Sequence, residues 1–158
     1  HGNSWYDHIL SNTQWNGSVT LASGLPFTPR VLGSITDVAT GVNGTLRADY
    51  TGAPIAGPES IDQWFNTGAF TVPVAGQFGT AGRNIIEGPG TFSLNSSISK
   101  QIQLGEGLRR LEFRLSANNI LNHPNFVGID TVVNSPTFGQ VTSVGSMRTV
   151  QFTTRFTF

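Results

Sequence analysis

From Phe92 to Leu104 the even positions read Phe92, Leu94, Ser96, Ile98, Lys100, Ile102 and Leu104. The odd positions between them read Ser93, Asn95, Ser97, Ser99, Gln101 and Gln103. Alternation with period two puts one set of side chains on each face of a β-strand. After Gly105-Glu106-Gly107 it resumes with opposite parity: Leu111, Phe113, Leu115 and Ala117 are apolar, while Arg110, Glu112, Arg114, Ser116 and Asn118 are polar. Opposed residues of an antiparallel pair share a face, so here an even residue must pair with an odd one, across a loop of even length. Glu106-Gly107 as a two-residue turn meets this condition, with glycine supplying a positive φ. The resulting hairpin joins residues 92–104 and 108–118, with Ile102 opposite Leu111, Lys100 opposite Phe113 and Ile98 opposite Leu115.

Two further strands follow the same rule. Near 13–22, Trp15, Gly17, Val19 and Leu21 alternate with Gln14, Asn16, Ser18 and Thr20, until Ser23-Gly24, Pro26 and Pro29 end the ladder. Near 147–158, Val150, Phe152, Thr154, Phe156 and Phe158 alternate with Thr149, Gln151, Thr153, Arg155 and Thr157. With strands near 91–104 and 108–118 these make four, separated by long loops at 24–90 and 119–145. The first loop holds a turn signal at Val42-Asn43-Gly44-Thr45, Gly-Pro pairs at Gly57-Pro58 and Gly88-Pro89, and a predicted short helical turn over Ile61-Asp62-Gln63-Trp64-Phe65-Asn66. Residues His1 to Ser11 carry no regular pattern.

Strand length narrows the class. Soluble strands average about five or six residues, whereas a tilted membrane-spanning strand needs about nine to eleven. Both hairpin strands reach the longer figure, and a β-sandwich with long strands fits the pattern equally well. Loop length then bears on topology. Outer-membrane barrels have short turns on the periplasmic side and long loops outside. With the C-terminus on the periplasmic side, 119–145 and 24–90 fall outside and Glu106-Gly107 inside. Lys100, on the apolar face, is then tolerated near the periplasmic end by snorkelling. The expected fold is all-β: long antiparallel strands with long loops, either the C-terminal part of a transmembrane β-barrel or a self-assembled sheet, taken as a single β segment over residues 1–158.

Composition changes this picture little. Only 11% of the 158 residues are charged and the formal net charge is zero, which argues against a nucleic-acid partner. No cysteine is present, so disulfides and thiolate metal sites are excluded. A first residue of His1 rather than Met suggests a processed product, a fragment or a trimmed chain.

Several runs carry a family likeness. They are Ser23-Gly24-Leu25-Pro26-Phe27-Thr28-Pro29; Trp64-Phe65-Asn66 with Ala69-Phe70; Phe78-Gly79 with Gly82-Arg83-Asn84 and Gly88-Pro89-Gly90; Phe113-Arg114 with Asn119-Ile120-Leu121-Asn122-His123-Pro124-Asn125-Phe126; and Phe138-Gly139-Gln140-Val141-Thr142. In this order they resemble the end of Oar-like TonB-dependent receptors, which carry a carboxypeptidase-regulatory-like domain, a plug and a large outer-membrane barrel. The resemblance spans roughly residues 13–158. It departs at Ser116-Ala117-Asn118, where the family tends to have an acidic residue and then aromatics. It implies uptake driven through TonB, with plug and TonB-contacting segments upstream of His1. The implied partners are the rest of the barrel and plug, outer-membrane lipid, and the barrel-assembly machinery, which would read Phe152, Phe156 and Phe158 as its signal. Trp64, Phe65, Asn66, Arg83, Asn84, Asn122, His123, Pro124, Asn125 and Phe126 are the family-motif loop residues. The implied location is the bacterial outer membrane. A derived, extracellular β-filament made of copies of this chain is the alternative.

Catalytic readings fare poorly. Ser97-Ile98-Ser99-Lys100 spells S-x-x-K, but strand positions three apart face opposite ways, whereas that chemistry needs them together on a helix. A secreted copper enzyme would use the amine and ring of His1 with His8 or His123. No acidic pair or calcium loop stands out, and no cofactor is expected. The triplets Asn16-Gly17-Ser18, Asn43-Gly44-Thr45 and Asn95-Ser96-Ser97 match glycosylation sequons, a pattern common by chance in such a composition. The expectation is a non-enzyme.

Overall fold

The computed structural model describes residues 10–33, 46–105 and 109–158. The strands in chain order are β1 (Thr13–Ala22), β2 (Pro26–Phe27), β3 (Arg30–Val31), β4 (Leu46–Arg47), β5 (Asp49–Tyr50), β6 (Phe70–Thr71) and β7 (Ile86–Glu87). They continue with β8 (Thr91–Gln103), β9 (Arg110–Asn118), β10 (Phe126–Ile129), β11 (Val141–Val144) and β12 (Thr149–Thr157). Two compact units result, one from His1–Leu21, Phe92–Pro124 and Ser146–Phe158, the other from Ala22–Thr91 and Asn125–Gly145.

The first unit is a four-stranded sheet in the order β1-β8-β9-β12. Sheet neighbours follow one another in the chain apart from the short strands of the other unit, an up-and-down arrangement. β8 and β9 pair antiparallel with Ile98 opposite Leu115, Lys100 opposite Phe113 and Ile102 opposite Leu111, the register that parity predicts. The Leu104 N–H donates to the Arg109 carbonyl at 3.0 Å, leaving four residues, 105–108, in the connection. That number is even, as the faces require. Gly105 opens it at φ 77°, a conformation that suits glycine. The Glu106-Gly107 turn itself lies outside the described residues.

β9 pairs with β12 through Val150–Ala117, Phe152–Leu115, Thr154–Phe113 and Phe156–Leu111. β1 runs antiparallel to β8: the Asn12 carbonyl accepts from Gln101 N–H, the Trp15 indole donates to Ser96 Oγ and Asn95 donates to Ser18 Oγ. The Trp15 contact places the odd residues of β1 on the even face of β8. All four strands therefore contribute their apolar set to one side. Both long connections, 23–90 and 119–148, leave this sheet at one end, where Ala22, Thr91, Asn118 and Thr149 lie. The short hairpin and the C-terminus are at the other.

The second unit gathers most of what sequence patterning read as loops 24–90 and 119–145, while residues 119–124 stay with the sheet unit. Two-residue ladders join β2 to β7, β3 to β4 and β5 to β6, and β10 pairs with β11. Such strands are too short for periodicity to reveal. Their stability comes from one core of Val31, Ala48, Phe65, Ala69, Phe70, Ala81, Ile86 and Ile129. Phe65 meets Phe70 and Phe138 edge-on at centroid distances of 5.9 and 5.2 Å, a geometry favoured by aromatic quadrupoles. The two loop segments are laced together: Arg30 N–H donates to Thr131 O, Val133 N–H to Arg30 O and Trp64 N–H to Gly139 O.

The helical turn expected over Ile61–Asn66 does not form there. Ser60 instead closes a turn with Gln63, its hydroxyl accepting from the Gln63 N–H, and Phe65 bridges Ala56 in extended form. The turn forms one step later as a 3-10 segment, Thr67–Ala69. Asn66 caps it by accepting from the Gly68 N–H. The Val42-Asn43-Gly44-Thr45 turn and the Asn43 sequon lie outside the described residues.

Candidate functional site

Three features of the structure have functional weight: the faces of the sheet, the knot at its loop end, and a cleft in the loop unit.

The apolar face is open over much of its area. Trp15 is 75% exposed, Phe152 65% and Phe156 53%, with Val19, Leu21, Ile98, Leu115 and Val150 also exposed. Phe113 and Phe152 stack at 6.0 Å, as do Phe156 and Phe158. A soluble protein rarely presents so continuous an apolar surface unless something covers it. Phe152, Phe156 and Phe158 thus occupy the oily side of the last strand and its end. Lys100, on the same side, sends its ammonium to the Ser11 carbonyl near the hairpin end. Reaching away from the strand's middle keeps the charge near the rim of the face.

The opposite face is polar. Glu112 sits across from Arg155 and Gln101, with Arg114 3.9 Å from Glu112 on the same strand. Ser97 faces this side and pairs with Ser116, while Lys100 faces the other and pairs with Phe113. The S-x-x-K spelling therefore brings no serine and lysine together.

At the loop end, Asn119 follows β9 and ties it to β8 and to the segment that leads into β12. Its backbone N–H donates to Asn95 Oδ1, its amide donates to the His123 and Ser146 carbonyls, and its Oδ1 accepts from the His123 N–H. Asn122 accepts from the Arg148 N–H, and the His123 ring packs edge-on against Phe92 at 5.8 Å. Asn119 and Asn122 both hold positive φ, which asparagine tolerates better than most residues. The Asn122-His123-Pro124 motif thus lies in a strand-end clamp. His1 and His8 lie outside the described residues.

The remaining motif residues belong to the loop unit. The Trp64 indole donates to the Glu87 carbonyl at 3.1 Å and meets Phe126 edge-on. Phe65 is in the core, and Asn66 both caps the 3-10 turn and donates to Pro54 O. Asn84 holds φ 57°, and its backbone N–H donates to Thr28 Oγ1. The Asn125 carbonyl accepts from the Gly145 N–H beside the β10–β11 pair.

Arg83 lines a cleft of about 370 Å³ with Thr28, Arg30, Leu46, Arg47, Phe78 and Gly79. Gly79 is required there: a Cβ would lie 1.9 Å from the Arg47 carbonyl. Arg30 and Arg47 were not singled out by sequence reasoning. The usable signal was that Arg30, Arg47 and Arg83 are the only Lys or Arg residues in 22–91 and 125–145. Near Arg30, burial pushes the Asp130 carboxyl up. Hydrogen bonds from Ser135, the Val132 N–H and Thr137, with the Arg30 guanidinium, outweigh this and hold it below the usual carboxylate range.

No group of three or more His, Asp or Glu suited to a metal occurs among the described residues. No helix among them is long and apolar enough to cross a membrane, which leaves crossing by strands untouched.

A family model described as "Outer membrane beta barrel domain" matches residues 1–151. Neither a curated protein nor a solved structure matches the chain.

Proposed function

This chain belongs to the outer membrane beta barrel domain family, and from that premise we propose that it supplies wall strands and surface loops to an Oar-like TonB-dependent uptake receptor. The observation that carries the reading is the sheet itself. It is a meander with one continuous apolar face and one polar face, whose long connections leave from a single end. Lipid would cover the first face, and water in the lumen would meet Arg110, Glu112, Arg114 and Arg155. On this reading the chain is a non-enzymatic element of the wall, placed in the outer membrane and completed by further strands beyond β1 and β12, a plug, and TonB acting through segments other than these.

Two measurements test it at different levels. Ile98→Arg in mid-strand on the apolar side is expected to cost roughly 2–4 kcal/mol in urea unfolding from lipid vesicles, and Ser97→Arg little. Equal costs would remove the lipid-facing wall. The TonB connection is tested by capture of the full gene product on immobilised TonB periplasmic domain. Failure there removes the uptake reading and leaves the wall standing.

A second reading is favoured by the outer edges of β1 and β12, which pair with no strand among the described residues. Unpaired edges template further strands. Copies of the chain joined edge to edge would form a self-assembled β-filament outside the cell. Sedimentation of the protein in lipid and in buffer separates the two: a closed particle needing lipid supports the wall, and open-ended polymers in buffer support the filament.

A further inference from the structure

All three basic residues of the loop unit converge on one cleft, and electrostatics alone opposes this. Arg30 and Arg47 sit directly opposite each other in the β3–β4 ladder. Like charges in that relation destabilise an antiparallel pair. Local partners account for two of the three guanidiniums in part. Arg47 donates to the Ala81 carbonyl at 3.1 Å, and Arg30 lies near Asp130. Arg83 has no side-chain partner among the described residues. Among the described residues no carboxylate lines the cleft: Asp49, Glu59, Asp62, Glu87 and Asp130 are all outside it. The Thr28 hydroxyl is already engaged with Asn84, donating to its Oδ1 and accepting from its N–H.

Part of the remaining wall is apolar. Phe78 is 68% exposed at the cleft, and Leu46 stands beside it. A volume of about 370 Å³ is at the small end of what ligand pockets occupy. Guanidiniums match the two oxygens of a carboxylate or phosphate as forks, and an exposed ring offers a face for stacking.

We infer that this cleft binds a small soluble ligand in which a carboxylate or phosphate is attached to a planar apolar body, with Arg30, Arg47 and Arg83 on the oxyanion and Phe78 against the body. The bound anion relieves the repulsion across β3 and β4. This goes beyond the uptake reading and does not depend on it, since a surface site of this kind would serve capture whatever follows.

The test is calorimetric titration of the full protein in neutral detergent with phenyl phosphate, inorganic phosphate and benzylamine. Phenyl phosphate is expected to saturate a single site, inorganic phosphate to bind at least several-fold more weakly, and benzylamine not to bind. Arg83→Gln should weaken phenyl phosphate at least tenfold, and Arg83→Lys by less. Phe78→Ala should narrow the gap between the two phosphates. Arg83 and Phe78 are exposed, so both variants should keep the parent's circular dichroism. Arg47 is avoided because it holds Ala81. Absence of saturable phenyl phosphate binding to the parent overturns the site, as does equal binding by the parent and Arg83→Gln. TonB capture is unaffected by either result, so the two readings fail separately.

Discussion

Asn119 is 4% exposed, holds φ 49° and uses both ends of its amide, so its side chain does work that no apolar residue of similar size can do. Asn119→Ala leaves the His123 N–H and two carbonyls without this part-buried partner, at about 1–3 kcal/mol, and adds roughly 1–2 kcal/mol for a left-handed alanine. Urea unfolding of the variant should show a loss within that combined range. Asn119→Asp keeps the acceptor and should lose less. Asp130 makes a different kind of contribution. Its folded-state pKa lies below the ordinary value of 3.8. The charged form is therefore favoured by folding, and its stabilisation is present above that value and lost as pH falls through the folded pKa. Asp130→Asn should flatten the acid limb of the loop unit's stability, read by tryptophan fluorescence of Trp64 between about pH 2 and 5. An unchanged acid limb would mean the carboxylate contributes nothing there.

At the scale of the element, the four long strands were legible because their information is local. Period-two alternation assigns each face, the change of parity between Ile102 and Leu111 demands a loop of even length, and the expected Glu106-Gly107 turn then selects the register. The short ladders β2–β7, β3–β4, β5–β6 and β10–β11 were not legible. A strand of two to four residues shows too little of a period, and its partner can be far away: Pro26 pairs with Glu87, and Arg30 reaches Val132. The arginine cleft was hidden for the same reason, since Arg30, Arg47 and Arg83 follow no spacing rule. The hairpin supports a parity prediction. One residue inserted after Gly105 forces either a bulge or a strand with its faces reversed, whereas two inserted residues preserve the faces. The one-residue insertion should slow barrel assembly more, as seen in the heat-modifiable mobility shift of the outer-membrane protein. Equal behaviour of both insertions would show that loop parity does not set the register.

For the whole molecule, the important fact is that residues 22–91 and 125–145 share one core. Phe138, from the later segment, packs on Phe65, from the earlier one. Phe138→Ala should therefore loosen both. Limited proteolysis is expected to yield cuts near 57–66 as well as near 138, because removing a packed aromatic costs about 3–5 kcal/mol and the ladders that share its core cannot stand alone. Cuts confined to the neighbourhood of residue 138 would show two loops that are independent. Shared packing also constrains descent with modification. Loops vary more among relatives than the elements they connect, and one can be exchanged for a relative's. Here the later segment packs Ile129, Phe138 and Val141 onto a core built mostly from the earlier one, so a graft of either alone brings mismatched aromatics at Phe65 and Phe138 and a broken Arg30–Val133 lace. Recombinants that survive should carry both segments from one parent, and variation at the two should be inherited as a block.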